Sequence, residues 1–133
     1  MPQFFKLYLV VLGFFLLIDM IWLALVARNF YREQLGFLMK TNINWSAAFI
    51  FYLIFVGGLV YFVIYPSLSQ DNWTSALLAG VFFGIVTYAT YDLTNLATVK
   101  NWPLVVTLVD ILWGAVLSGT LSIIGFFYGK NFL

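Results

Sequence analysis

The chain of 133 residues is 64% hydrophobic and 8% charged, and 21% of it is Phe, Tyr or Trp. Soluble domains average about 45–50% apolar and 25% charged residues, so the composition argues against a water-soluble fold and for one integral membrane domain over residues 1–133. A net charge of +1 with dispersed Lys and Arg speaks against nucleic-acid binding. With no Cys there are no disulfides or thiolate chemistry, and with no His the imidazole-based haem, di-iron and most zinc sites fall away. No metal or cofactor is therefore expected.

The first apolar stretch runs from about Phe4 to Ala27, long enough for the ~20 residues that cross a bilayer core. It is longer than a signal-peptide core of about 7–15 residues, contains Asp19 and has no small-residue cleavage site before Arg28, so it is expected to remain in the mature protein. Between Arg28 and Asn44, Tyr31, Leu35 and Leu38 recur at i, i+4 and i+7, the spacing of an interfacial amphipathic helix or of a helical extension of the first span. A second stretch covers Trp45 to Tyr65, and Pro66 reads as a helix stop opening the link to Asn72. The third covers Trp73 to Ala97. A tight turn, Thr98–Trp102, then leads to Pro103 as first residue of a fourth span ending near Tyr128. Trp45, Trp73 and Trp102 fall at segment ends, where indoles anchor at headgroup level. The expected fold is an all-α integral membrane bundle of four transmembrane helices (about 4–27, 45–65, 73–97 and 103–128). Arg28, Arg32, Lys40 and Lys100 share one face against Lys6 and Lys130 on the other, which places the first face in the cytoplasm and both termini outside.

Asp19, Asp92 and Asp110 lie inside these apolar stretches, where a carboxylate costs roughly 2.5–3.5 kcal/mol on insertion scales. Such groups are retained where they face a bundle interior or handle protons, cations or polar substrates. In an antiparallel bundle all three are displaced toward the same membrane face, within a layer on the order of 5–10 Å thick at ~1.5 Å per residue. Arg28, Arg32 and Lys100 form a cationic rim above it. On the third span Tyr88, Tyr91, Asp92 and Asn95 form one stripe, and on the fourth Thr107, Asp110, Gly114 and Ser118 form another. The Gly, Ser and Thr positions read first as packing sites, with hydroxyls bonding across the gap between helices. Leu17-Ile18-Asp19-Met20-Ile21-Trp22 echoes Leu108-Val109-Asp110-Ile111-Leu112-Trp113, so Trp22 and Trp113 are expected to frame one site from two sides. Tyr88, Tyr91, Asn95 and Trp22 are the expected donors to the carboxylates, which cannot all ionise cheaply in low dielectric.

This pattern points first to a membrane-embedded binding or transport protein with a proton- or cation-linked site for a lipid or a small polar or ionic ligand. Four helices enclose little volume, so a homodimer is expected if a pathway exists, with Gly13, Gly57, Gly58, Gly80 and Gly84 as close-contact positions. A second reading is an intramembrane enzyme in which Asp92 or Asp110 is general acid or base and Tyr91 and Asn95 position a lipid or isoprenoid-like substrate. A third is a structural subunit whose aspartates pair with a partner's basic residues.

Asp19-Met-Ile-Trp22-Leu23, Arg28 with Phe30-Tyr31, Leu35-Gly36, the run Tyr88-Ala-Thr-Tyr91-Asp92-Leu-Thr94-Asn95-Leu-Ala-Thr98, Trp102-Pro103 and Asp110-Ile-Leu-Trp113-Gly114 span nearly the whole chain. In these motifs the chain resembles a group of small four-helix bacterial membrane proteins known as a domain of unknown function. The resemblance implies a bacterial inner membrane and implies no chemistry.

Overall fold

The computed structural model describes residues 2–39 and 43–133. Four long helices make up the fold: α1 (Pro2–Leu35), α2 (Trp45–Gln70), α3 (Trp73–Thr98) and α4 (Leu104–Phe132), with no strand among the described residues. Each is long and apolar enough to cross a ~30 Å hydrocarbon core. Large apolar side chains such as Leu25, Ile54, Phe82 and Leu112 project outward, the arrangement a lipid solvent requires. The chain is an all-α integral membrane bundle of four helices.

Two boundaries, at Pro66 and Pro103, differ from the sequence reading, and one of its two alternatives after the first span is met. The segment after the first span is a continuous extension of α1 to Leu35, and a π-helical stretch, Trp22–Ala27, lies within it. Lys40, counted above among the basic residues of this face, lies outside the described residues. Pro66 does not stop α2, which continues to Gln70. Pro66 has no N–H to give to the preceding turn, and α2 widens into a π-helical stretch, Val60–Ile64, just before it. Such local adjustments let membrane helices absorb a proline. Pro103 is extended (φ −72°, ψ 131°) and stands just outside α4 as its cap rather than as its first residue.

The connections are built from local chemistry. Asn44 caps α2 by accepting from the Ala47 N–H at 3.1 Å. Asn72 caps α3 by accepting from the Thr74 and Ser75 N–H groups at 3.0 and 3.3 Å. Asp71 (φ 50°) and Asn101 (φ 63°) make the two left-handed corners, a conformation short polar side chains tolerate.

α3 and α4 make the most intimate pairing. Gly80 faces Ser118 and Ser122, Gly84 lies against the Gly114 carbonyl, and the Tyr88 ring lies over Gly114. These small residues are spacers that bring two backbones together. The hydroxyls behave differently from expectation: Thr87, Thr90, Thr94 and Thr98 all donate to carbonyls of their own helix. A polar residue in lipid satisfies itself most cheaply on the preceding turn. Thr107 is the exception and donates across to the Asp92 carbonyl at 3.3 Å. Gly80 and Gly84 are thus occupied within the chain and unavailable to a second copy, whereas a side chain at Gly13 would meet nothing within 4 Å.

The apolar core lies toward the end that carries both termini. It joins Leu7, Val11 and Phe15 of α1, Phe55 to Ile64 of α2, and Leu117 and Leu121 of α4. Along the helical stretch Trp45–Leu59, the first buried residue of α2 is Phe55. The bundle is therefore closed at one end and loosely packed between α2 and its neighbours at the other. The aspartates occupy the loose half.

Candidate functional site

The site is built from the α3–α4 corner outward. The Trp102 Nε1–H donates to Thr107 Oγ1 at 3.0 Å, and Thr107 donates in turn to the Asp92 carbonyl. This chain ties the tight turn to the backbone at Asp92 and fixes where its side chain emerges. Trp102 is consequently buried, packed edge-on against Tyr91, and is not the headgroup anchor its terminal position suggested. Trp45 and Trp73 are exposed at their helix ends, as anchors should be.

Asp92 is fully buried, at 0% exposure, and Asp110 from α4 is 8% exposed. Their carboxyl groups are electrostatic neighbours across the α3–α4 contact. Two ionised carboxylates have no proton to share, and neither Asp92 oxygen receives a hydrogen bond from any described residue. Asp110 is better served: the Tyr31 hydroxyl donates to it. Asp19 is half-buried, accepts from the Trp113 Nε1–H at 3.4 Å with the Tyr52 hydroxyl also in reach, and lies within electrostatic reach of Asp110. Trp22 stacks on Trp113 with ring centroids 4.2 Å apart and planes 7° from parallel. The echoed Asp–Trp segments of α1 and α4 do meet. The Trp22 Nε1–H is buried and completes no hydrogen bond, although the Tyr31 oxygen is nearby.

Asp110 is therefore the acid that both others reach, Asp92 directly and Asp19 more weakly. Among the described residues no three acids converge as a metal-ligating set. The donors also differ from those expected. Tyr88, Tyr91, Asn95 and Trp22 give no hydrogen bond to a carboxylate, and Trp113 and Tyr31 do so instead. Tyr88 is nevertheless central, within electrostatic reach of Asp19, Asp92 and Asp110. Tyr91 is 58% exposed on the outer side of α3, with Asn95 beside its hydroxyl. Arg28, Arg32 and Lys100 are exposed and pair with none of the acids. Among the described residues the ion pair is Lys130–Asp71 at 3.1 Å, at the opposite end of the bundle.

Tyr31 was missed for a geometric reason. At roughly 100° per residue, Tyr31 lies about 120° around the helix from Asp19, on the wrong face. A π-helical turn holds one extra residue and rotates everything after it by about 100°, bringing Tyr31 back to within roughly 20° of Asp19. The stretch Trp22–Ala27 lies between the two. Single π turns cluster at functional sites, and this one delivers the tyrosine to Asp110. Deleting one residue of that stretch, for example Ala24, is expected to abolish the Tyr31–Asp110 bond. Tyr31→Phe should then cost about 1–2 kcal/mol in the parent protein and nothing in the deletion variant. A thermal-unfolding cycle in which Tyr31→Phe costs the same in both would refute the rotation.

A cleft of about 380 Å³ opens sideways between α2 and α3, lined by Phe51, Thr87, Tyr88 and Tyr91. Fold and site together define a class: a four-helix integral membrane protein with a carboxyl pair buried between its last two helices. Residues 4–127 match the family model described as "Predicted membrane protein (DUF2177)", and the chain belongs to that family. No curated protein and no solved structure matches the chain.

Proposed function

We propose that this protein is a membrane-embedded binding or transport protein whose Asp92–Asp110 pair holds a proton and exchanges it for a cation. One observation carries the reading: Asp92 is fully buried, faces Asp110, and has no donor on either oxygen. A buried acceptor of this kind costs on the order of 1–3 kcal/mol more when left unsatisfied. A proton between the two carboxyls supplies the missing donor, and a monovalent cation does the same by charge. Exchange leaves the charge of the pair unchanged, since one proton departs as one cation enters. Asp19, held by Trp113 one turn deeper on α4, is a second station along the same face.

Two measurements test this. Addition of sodium, potassium or methylammonium chloride to the protein in lightly buffered nanodiscs should release about one proton per chain. The carboxylic-acid stretch in the infrared should fall in step. Both signals should vanish in Asp92→Asn and Asp110→Asn. A protein that releases no proton to any of these cations and shows no carboxylic-acid band overturns the reading.

The setting is a bacterial inner membrane with the Arg28, Arg32 and Lys100 end in the cytoplasm and both termini outside, supported by the excess of basic residues at that end. An enzymatic reporter fused after Leu133 should be active only in its periplasmic form. A cytoplasmic signal from that fusion would reverse the orientation.

A further inference from the structure

The cleft between α2 and α3 is a different feature from the carboxyl pair, and the two are joined by one residue. Tyr88 lines the cleft and is also within electrostatic reach of all three acids. Its ring lies over Gly114, one turn from Asp110 on α4. Tyr88 is thus the wall between an apolar lateral opening and a buried anionic pair. Three of the four residues that line the opening are aromatic. The opening lies on the stretch of α2 before its first buried residue, Phe55, whose ring borders it by packing against Phe51 and Tyr88. Its volume of about 380 Å³ falls within the ordinary range of small-ligand sites.

We propose that this cleft admits a single-chain alkylammonium amphiphile from the bilayer, its ammonium group lodging at Asp92 and Asp110 and its chain lying along Phe51, Tyr88 and Tyr91. The inference rests on the cation-exchange reading above and adds the class of cation and its route.

Charge and donor count select this occupant. The acids carry no paired cation among the described residues, so an anionic headgroup is repelled. A fatty alcohol brings one donor to a place where two Asp92 oxygens lack one. A primary ammonium brings three donors and a positive charge. Aromatic faces along the approach attract that charge while tolerating the chain that follows it. A strongly hydrated inorganic ion has no such path through lipid.

The test uses the full-length protein in phosphatidylcholine nanodiscs with dodecylamine as the probe, against dodecanol, dodecanoate and methylammonium chloride. Dodecylamine should stabilise the protein saturably against heat and release a proton. Dodecanol and dodecanoate should do neither. Asp92→Asn should abolish the proton release and weaken dodecylamine binding by about tenfold or more, as loss of a charge-assisted contact does. Thr87→Trp, which fills the opening, should abolish the dodecylamine response and leave that to methylammonium intact. The carboxylic-acid band of the Thr87→Trp variant shows that its carboxyl pair is still assembled. If methylammonium releases a proton and dodecylamine binds no better than dodecanol, the lateral route is wrong and the exchange reading stands. If neither amine releases a proton, both fall. An unchanged dodecylamine response in Thr87→Trp also overturns the route.

Discussion

Asp92→Asn is expected to eliminate cation-linked proton release and, at a pH where the parent pair has lost its proton, to leave the folded protein more stable than the parent by on the order of 1–3 kcal/mol. The parent side chain is fully buried, has no donor on either oxygen, and faces a second carboxyl. An amide in the same volume supplies permanently the N–H₂ donor that the parent pair has only while its proton is bound, and it spares the pair the second charge it carries once that proton has left. Desolvation and repulsion fall together, and the shape of the site barely changes. Stability gained at the cost of activity marks a group kept for its chemistry. An aspartate retained only for packing predicts the opposite. Thermal unfolding in a mild detergent, at a pH where the parent pair has lost its proton and beside the proton-release measurement, separates the two. A lower melting temperature for Asp92→Asn, or full release in the variant, would refute the assignment of Asp92 as the working acid.

Gly84→Leu is expected to destabilise the bundle by about 1–3 kcal/mol or more and to disperse the site. Even a Cβ at Gly84 would run into the Gly114 carbonyl, and backbone cannot rotate aside as a side chain does. The helices must separate. Asp92 and Asp110 stand on these two helices, two turns and one turn from the contact, so the spacing of the pair depends on it. Gly13→Leu is the matched control, because a side chain there meets nothing within 4 Å. The Gly13 variant should melt with the parent. Equal losses at both positions would show that the penalty comes from glycine replacement in general and not from the α3–α4 contact.

The structure bears out particular parts of the sequence reading. Four apolar stretches and the Asn and Pro residues at their edges set the helices, because in lipid each backbone polar group must be satisfied within its own segment. Gly80, Gly84 and Gly114 behave as the small-residue spacing suggested, since only a missing side chain permits so close an approach. The matching Asp–Trp segments were readable as a pair, and Trp22 does stack on Trp113. Other features were not readable. Pro66 looked like a stop because a regular helix cannot absorb it, but a widened turn can. Trp102 looked like an anchor because its position in the chain is terminal, whereas its hydrogen bond to Thr107 holds it inward.

Composition and periodicity by themselves determined that this is a four-helix membrane protein with acids on three of its helices, because hydropathy and span length are properties of local segments. Only the tertiary structure decided that Asp92 and Asp110 form a pair while Asp19 is held by Trp113, that Tyr31 reaches Asp110, and that Tyr88 separates the pair from an opening toward lipid. Those facts depend on how far one widened turn rotates α1 and how closely two glycines let α3 approach α4. Neither angle nor distance is encoded in the spacing of residues along a single helix.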